Sequence, residues 1–300
     1  MIQTLVTGGT GFVGHSIVRE LVKNNESVVV LSRDPLKVDR ARRVSGAHYI
    51  QGNVFDPKSL TRAMEGCDAL INCVQFENAP FENPKKGLTY EKVDGEGSLN
   101  QMEAIKGSSI ERVIYMSGAG VKDGRIEPWF KAKLKAEEAV KNCGKNWTIF
   151  RPSWIYGAQD NSLNKFALFA RFSPVVPLIG MGNEKIQPIY VEDVAKCVAK
   201  ALNTKSTFGE IIELGSQEEV SMKKIVQTLL EVKGQKRILL PHPKPLMKLI
   251  ASVVQFLPGR MLTPDAIDFI TMEEKVDVSN LTRLLGITPL SLKEGLKHYL

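Results

Sequence analysis

The chain has 300 residues, 43% of them hydrophobic and 24% charged, with a formal net charge of +7. That length suits one large α/β domain or a domain with a smaller partner, and the composition excludes a disordered or fibrous chain. The lysines are scattered rather than clustered, so the positive balance does not point to nucleic acid; it suits anionic nucleotides or a membrane surface.

An apolar run from Ile2 to Val6 reads as a first strand. It breaks into Gly8-Gly9-Thr10-Gly11-Phe12-Val13-Gly14 and resumes as a helical pattern with Ile17, Val18, Leu21 and Val22 on one face. Glycines 8, 11 and 14 allow a tight strand-to-helix turn and a close backbone approach to a pyrophosphate. The helix start then offers free N–H groups and a positive dipole end to that anion.

Strands are expected at 28–31, 47–51, 69–74, 113–116 and 147–150, with helices at 60–64, 97–105 and 130–142 and a loop over 76–87. Short buried strands alternating with amphipathic helices predict an α/β doubly wound parallel sheet of the dinucleotide-binding kind. After Arg151-Pro152 frequent prolines divide short helices, so a smaller α-rich cap is expected to close over the C-terminal edge of the sheet. On this reading 1–152 and about 183–215 bind the dinucleotide, and about 153–182 and 216–300 form the cap.

The residues after strand two bear on the cofactor. A carboxylate there would hold the ribose hydroxyls of NAD; here Ser32-Arg33 stands instead, and an arginine fork beside a hydroxyl suits a 2′-phosphate. NADP(H) is favoured and NAD(H) stays open, because Asp34 follows one or two places late. After strand three, Asn53 is placed to hydrogen-bond an adenine and Val54 to pack on it, while Asp56 reads as the cap of a helix starting at Pro57.

Cys67, Cys73, Cys143 and Cys197 show no metal spacing and read as reduced thiols, and the four histidines lie far apart, so no metal site is expected. No leader is expected ahead of the first strand, and no apolar run approaches the ~20 residues of a membrane span. A cytoplasmic protein, peripheral at a membrane at most, is the expectation. Between Pro245 and Pro258, Leu246, Leu249, Ile250, Val253, Val254 and Leu257 fall on one helical stripe. Met247, Ala251 and Phe256 widen it, and Lys244, Lys248 and Arg260 border it. A helix packed on its own domain is expected there; the alternative is an apolar flank meeting a membrane surface or a hydrophobic protein partner.

The glycine motif, the 52–56 stretch, Arg151-Pro152-Ser153-Trp154-Ile155-Tyr156-Gly157 and Ile189-Tyr190-Val191-Glu192-Asp193-Val194-Ala195 together resemble the extended short-chain dehydrogenase/reductase family over nearly the whole chain. The 177–182 run leading into Gln187-Pro188-Ile189-Tyr190, and Leu284-Leu285-Gly286-Ile287-Thr288-Pro289, are similar to the atypical branch containing the 39-kDa accessory subunit of respiratory complex I and its bacterial relatives. The resemblance places Thr10, Phe12 and Val13 of the glycine loop, Cys73 and Val74 after strand four, Ser117 after strand five, and Pro152 and Ile155 after strand six against the cofactor.

An active member of that family uses a Tyr four residues before a Lys on one helix face, plus a Ser or Thr that steadies the substrate oxygen. Lys133 matches the Lys, which would grip the nicotinamide ribose; Trp129 stands at the Tyr position and Gly118 at the hydroxyl position. Ser117 comes one place early and should point elsewhere, and Asp94 stands where the family usually carries Asn. An indole N–H donates but does not titrate usefully. The resemblance therefore implies a cofactor-binding structural, sensing or respiratory-complex-associated protein. The alternative is an NAD(P)-dependent oxidoreductase or nucleotide-sugar epimerase/dehydratase working through Lys133 and an unidentified acid, with Tyr156 and Tyr190 the nearest substitutes.

Overall fold

The computed structural model describes residues 2–160, 162–255, 263–264, 267–268 and 271–300. Strand and helix alternate through β1 (Gln3–Thr7), α1 (Phe12–Lys23), β2 (Ser27–Ser32), β3 (Ala47–Gln51), α2 (Pro57–Met64), β4 (Ala69–Asn72), α3 (Gly97–Ala104), β5 (Arg112–Met116), α4 (Pro128–Lys141) and β6 (Asn146–Pro152). Shorter elements follow: β7 (Ile155–Tyr156), α5 (Leu163–Phe172), β8 (Val175–Ile179), β9 (Lys185–Ile186), β10 (Ile189–Tyr190), α6 (Val191–Asn203), β11 (Glu210–Leu214), β12 (Val220–Ser221), α7 (Met222–Val232), β13 (Ile238–His242) and α8 (Lys244–Val254). Helices Ser279–Leu285 and Leu292–Lys297 end the chain.

Seven strands form one sheet in the order β11-β6-β5-β4-β1-β2-β3, and every pairing in it is parallel. Parallel strands need both faces covered, and β1 shows how the sequence meets this. Val6 points into a core with α1 and α6; its neighbour Leu5 points into the opposite core with α2, α3 and α4. The expected doubly wound α/β sheet is thus present. Its order reverses between β1 and β4, the point at which sheets of this kind leave a crevice at their C-terminal edge.

Asp56 accepts the Lys58 N–H at 3.1 Å, capping α2 with Pro57 in its first turn. Before α3 the chain widens into a π-helical segment, Tyr90–Glu96, that carries Asp94 inside the protein. In the C-terminal half Tyr156, Leu163, Tyr190, Ile225, Leu229 and Leu296 share a third core.

One expectation is corrected. Leu246, Leu249, Ile250 and Val253 of α8 are exposed, and only Ala251 of that helix is buried. The stripe forms as a helix face but points away from its own domain. Periodicity defines such a face without fixing what covers it, and here the helix meets the protein through its narrower side. Phe256, Leu257 and Arg260 lie outside the described residues.

Candidate cofactor site

The glycine loop is built for close approach. Gly8 has φ +73°, and a Cβ there would collide with the Cys73 carbonyl oxygen. A Cβ on Gly14 would collide with the Gly8 carbonyl in the same way. The loops after β1 and β4 therefore touch backbone to backbone at the point where the sheet order reverses. Gly11 caps α1 with no side-chain hydrogen bond, and the first turn of α1 carries no acidic residue. These N–H groups face the crevice without a competing carboxylate, which fits a dinucleotide pyrophosphate. Phe12 and Val13 lean instead toward the third core, and a Cβ on Gly157 would meet the Phe12 ring at 3.3 Å.

At the far end of the crevice Ser32 is buried and Arg33 is exposed, 3.8 Å from Glu77. Asp34 accepts the Leu36 N–H at 3.2 Å and lies 3.0 Å from Lys37, so its carboxylate caps a short turn. Arg42, on the β2–β3 connection, donates to the Thr10 carbonyl at 3.2 Å. Sequence reasoning missed Arg42; the clue was the basic run Arg40, Arg42 and Arg43. Asn53 Oδ1 accepts the Phe55 N–H at 3.1 Å, and the Val54 carbonyl accepts from Asn100 at 3.0 Å. Both residues hold the β3–α2 turn in shape.

Beneath the crevice lies a polar network that pattern reading did not find. Thr7 donates to Gln101 at 2.7 Å, and Asn72 donates to Ser98 at 3.0 Å while its Oδ1 accepts the Val74 N–H at 3.0 Å. All four side chains are buried. Burial pushes the neighbouring Cys73 thiol up to about 12, with Lys133 pulling the other way.

Lys133 is buried on α4. Its ammonium donates to the Met116 carbonyl at 3.2 Å and sits 3.2 Å from Asp94 Oδ1. Burial opposes the ammonium charge, yet Tyr115 and Asp94 outweigh it and hold the Lys133 pKa above its ordinary value. Burial raises the Asp94 pKa, and Lys133 restrains that rise. The carboxylate has no well-aligned hydrogen-bond donor, so Lys133 is its electrostatic partner. Tyr115 Oη also lacks a partner, and burial pushes its pKa up to about 12.

The Ser117 hydroxyl, placed against the cofactor by the resemblance, donates instead to buried Glu137 at 2.6 Å. Glu137 also accepts from Arg151 Nε at 2.9 Å and Nη2 at 2.6 Å. Gly118 is covered by the indole of Trp129, 2.5 Å from where its Cβ would be. Pro152 accepts the Ala119 N–H at 2.9 Å, tying the β5 loop to β6. Ile155 lies between two cores. Tyr156 is fully buried, and Tyr190 stacks on His298 and Tyr299; both serve the C-terminal core.

A strap from the far end of the chain crosses the β5–α4 loop. Arg125 donates to Glu274 at 2.8 Å and to Glu127, and its guanidinium lies 3.7 Å from the centre of the Phe130 ring. The Glu274 carboxylate rests directly over Gly120, whose φ is +76°.

A loop that only glycine can form, an open helix start and a sheet reversal together define a dinucleotide-binding protein. Residues 8–205 match the NAD(P)H-binding family model, and the chain belongs to that family. It is 28% identical over 272 residues to the mitochondrial NADH dehydrogenase [ubiquinone] 1 alpha subcomplex subunit 9 of Arabidopsis thaliana, with 88% of this chain aligned to 66% of that one. The chain thus spans just under two thirds of that relative's length. It is 24% identical to the photosystem II assembly factor Ycf39 of Synechocystis, over 89% of this chain and 79% of that one. In fold it matches the UDP-glucuronic acid 4-epimerase of Bacillus cereus, a structure holding UDP-glucuronic acid and NAD, with a TM-score of 0.77, 19% identity and coverage of 99% and 98%. The resemblance to atypical, epimerase-like short-chain dehydrogenases therefore holds. Among the described residues no helix is long and apolar enough to cross a membrane.

Proposed function

We propose that this chain binds NADP(H) in preference to NAD(H) and retains it as a structural or sensing group, serving as a peripheral component of a larger, membrane-associated assembly. Residues 1–152 and 183–215 hold the nucleotide, and the remainder forms the cap. Gly8, Gly11 and Gly14 seat the pyrophosphate, Arg33 and Arg42 meet the 2′-phosphate, and Lys133 reaches the nicotinamide ribose. A bound nicotinamide would supply hydride chemistry; this chain's residues bind and orient it without moving a proton.

The carrying observation is the Trp129 indole over Gly118. It occupies the space that the family's hydroxyl would need and stands where the family's tyrosine would titrate. Losing a general acid typically costs about 10²–10⁴ in rate. The complex I and photosystem II relatives support a role in an assembly, as their names describe.

The test is calorimetric titration with NADPH, followed by turnover assays on aldehydes, ketones, quinones and nucleotide sugars. Saturable binding with little turnover is expected. Turnover above ~1 s⁻¹, in the ordinary enzyme range, and abolished by Lys133→Ala would replace this reading with a Lys-dependent oxidoreductase or epimerase.

A further inference from the structure

The stripe on α8 is not the only apolar surface turned outward. Phe169 and Phe172 at the end of α5 are exposed, the latter by 77%. Ile238 and Leu240, alternate residues of β13, are exposed as well, while Leu239 between them packs inward. These elements adjoin. Arg237 donates to the Ala170 carbonyl at 2.7 Å, and the Ile238 N–H donates to Pro174 at 3.0 Å. Pro243 alone separates β13 from α8.

Charge says what this surface faces. Residues 161–183 and 232–264 contain eight lysines and arginines and no aspartate or glutamate, in a chain with 33 acidic residues. Lys244 and Lys248 are neutralised by Glu184 and Asp268. Arg171 and Lys236 remain exposed beside the apolar residues, and the Arg171 guanidinium lies 5.6 Å from the Phe172 ring centre. An apolar strip with phenylalanines at one end, whose unpaired border charges Arg171 and Lys236 are both cationic, matches the boundary between acyl chains and anionic headgroups.

We infer that the α5 end, β13 and α8 form a docking face for an anionic lipid bilayer, into which the α8 stripe inserts in the interface plane. This rests on the peripheral placement proposed above but not on the cofactor reading. The test is flotation of the full chain with phosphatidylcholine vesicles containing about 30 mol% phosphatidylglycerol, against phosphatidylcholine alone. Binding to the anionic vesicles is expected, weakening with salt. Leu249→Gln with Val253→Gln should reduce it at least tenfold, and so should Arg171→Glu with Lys236→Glu. NADPH titration of the same samples separates the two proposals, since none of the substituted residues is among those assigned to the nucleotide. No flotation of the unmodified chain, or flotation unchanged in both double variants, overturns the inference. A concentration-dependent dimer abolished by the Leu249/Val253 pair overturns it too, because a second copy would then be the occupant.

Discussion

The indole of Trp129 lies where a side chain on Gly118 would begin, with Cζ2 at 2.5 Å and Cη2 at 2.6 Å from the position of a Cβ. The two residues are thus coupled by direct packing. The ring is held edge-on to Phe130, centroids 4.5 Å apart, and packs beside Val74, Phe76 and Tyr90. It has no easy route away from Gly118.

Gly118→Ser alone should therefore overpack the site and destabilise the protein by about 1–3 kcal/mol. In the Trp129→Tyr background the smaller ring makes room, and the same serine should cost less. Denaturant unfolding of the four proteins in a double-mutant cycle measures the coupling. Effects that add to within ~0.5 kcal/mol would show the two residues to be independent.

Much of this architecture was legible in the sequence because buried parallel strands are nearly continuous apolar runs and the glycine loop is chemically demanding. Lys133 stood out in the sequence by its match to the family's helical lysine. Its partner Asp94 was visible only as an odd residue at a helix start, because the π-helical widening that turns it inward has no periodic signature. The strap was invisible for another reason: Glu274 lies 149 residues from Arg125, and no local pattern reports so distant a pairing. The α8 stripe shows the same limit, since amphipathic spacing describes a helix and not its surroundings.

Cofactor choice should follow Arg33. Its ion pair with Glu77 is long, at 3.8 Å, and both side chains are largely exposed, so little is lost when Arg33 turns to a phosphate. NADPH should bind more tightly than NADH, and Arg33→Asp should weaken NADPH by about 1.5–3 kcal/mol, the worth of a charged hydrogen bond. Arg42→Ala should act in the same direction while also freeing the Thr10 carbonyl. Titration calorimetry with both nucleotides decides; equal affinities in the unmodified chain would sink the preference.

The Lys133–Asp94 pair should be fragile to single changes. Removing one partner of a buried ion pair typically costs about 3–5 kcal/mol because the other charge is stranded. Asp94→Asn, although it restores the residue usual in the family, is expected to destabilise the chain and weaken NADPH binding. Lys133→Met should weaken binding and also destabilise, yet the double variant should unfold less readily than the two losses added together. Thermal and denaturant melts of all four forms test this, and strict additivity would show that the 3.2 Å contact carries no coupling.

His15, on α1 four residues beyond Gly11, should make stability depend on pH. Burial first, then the charges of Arg19 and Arg42, hold its imidazole below the ordinary 6.5, with Glu192 acting the other way. A depressed folded pKa means that the unfolded chain takes up the proton more readily. The contribution is therefore present above the unfolded value of ~6.5 and is lost as pH falls through the folded one. Denaturant midpoints should drop between pH 7.5 and 5.5 in the unmodified protein and drop less in His15→Gln. The anionic cofactor supplies a second check at the same residue. A pyrophosphate at the start of α1 would favour the imidazolium, so NADPH binding near pH 6 should take up protons. Calorimetry in buffers of different ionisation enthalpy reads that uptake directly. The 2′-phosphate of NADPH also titrates at pH ~6, so the histidine is read as the difference from His15→Gln; identical proton uptake in the two proteins would show that the pyrophosphate does not sit beside this histidine.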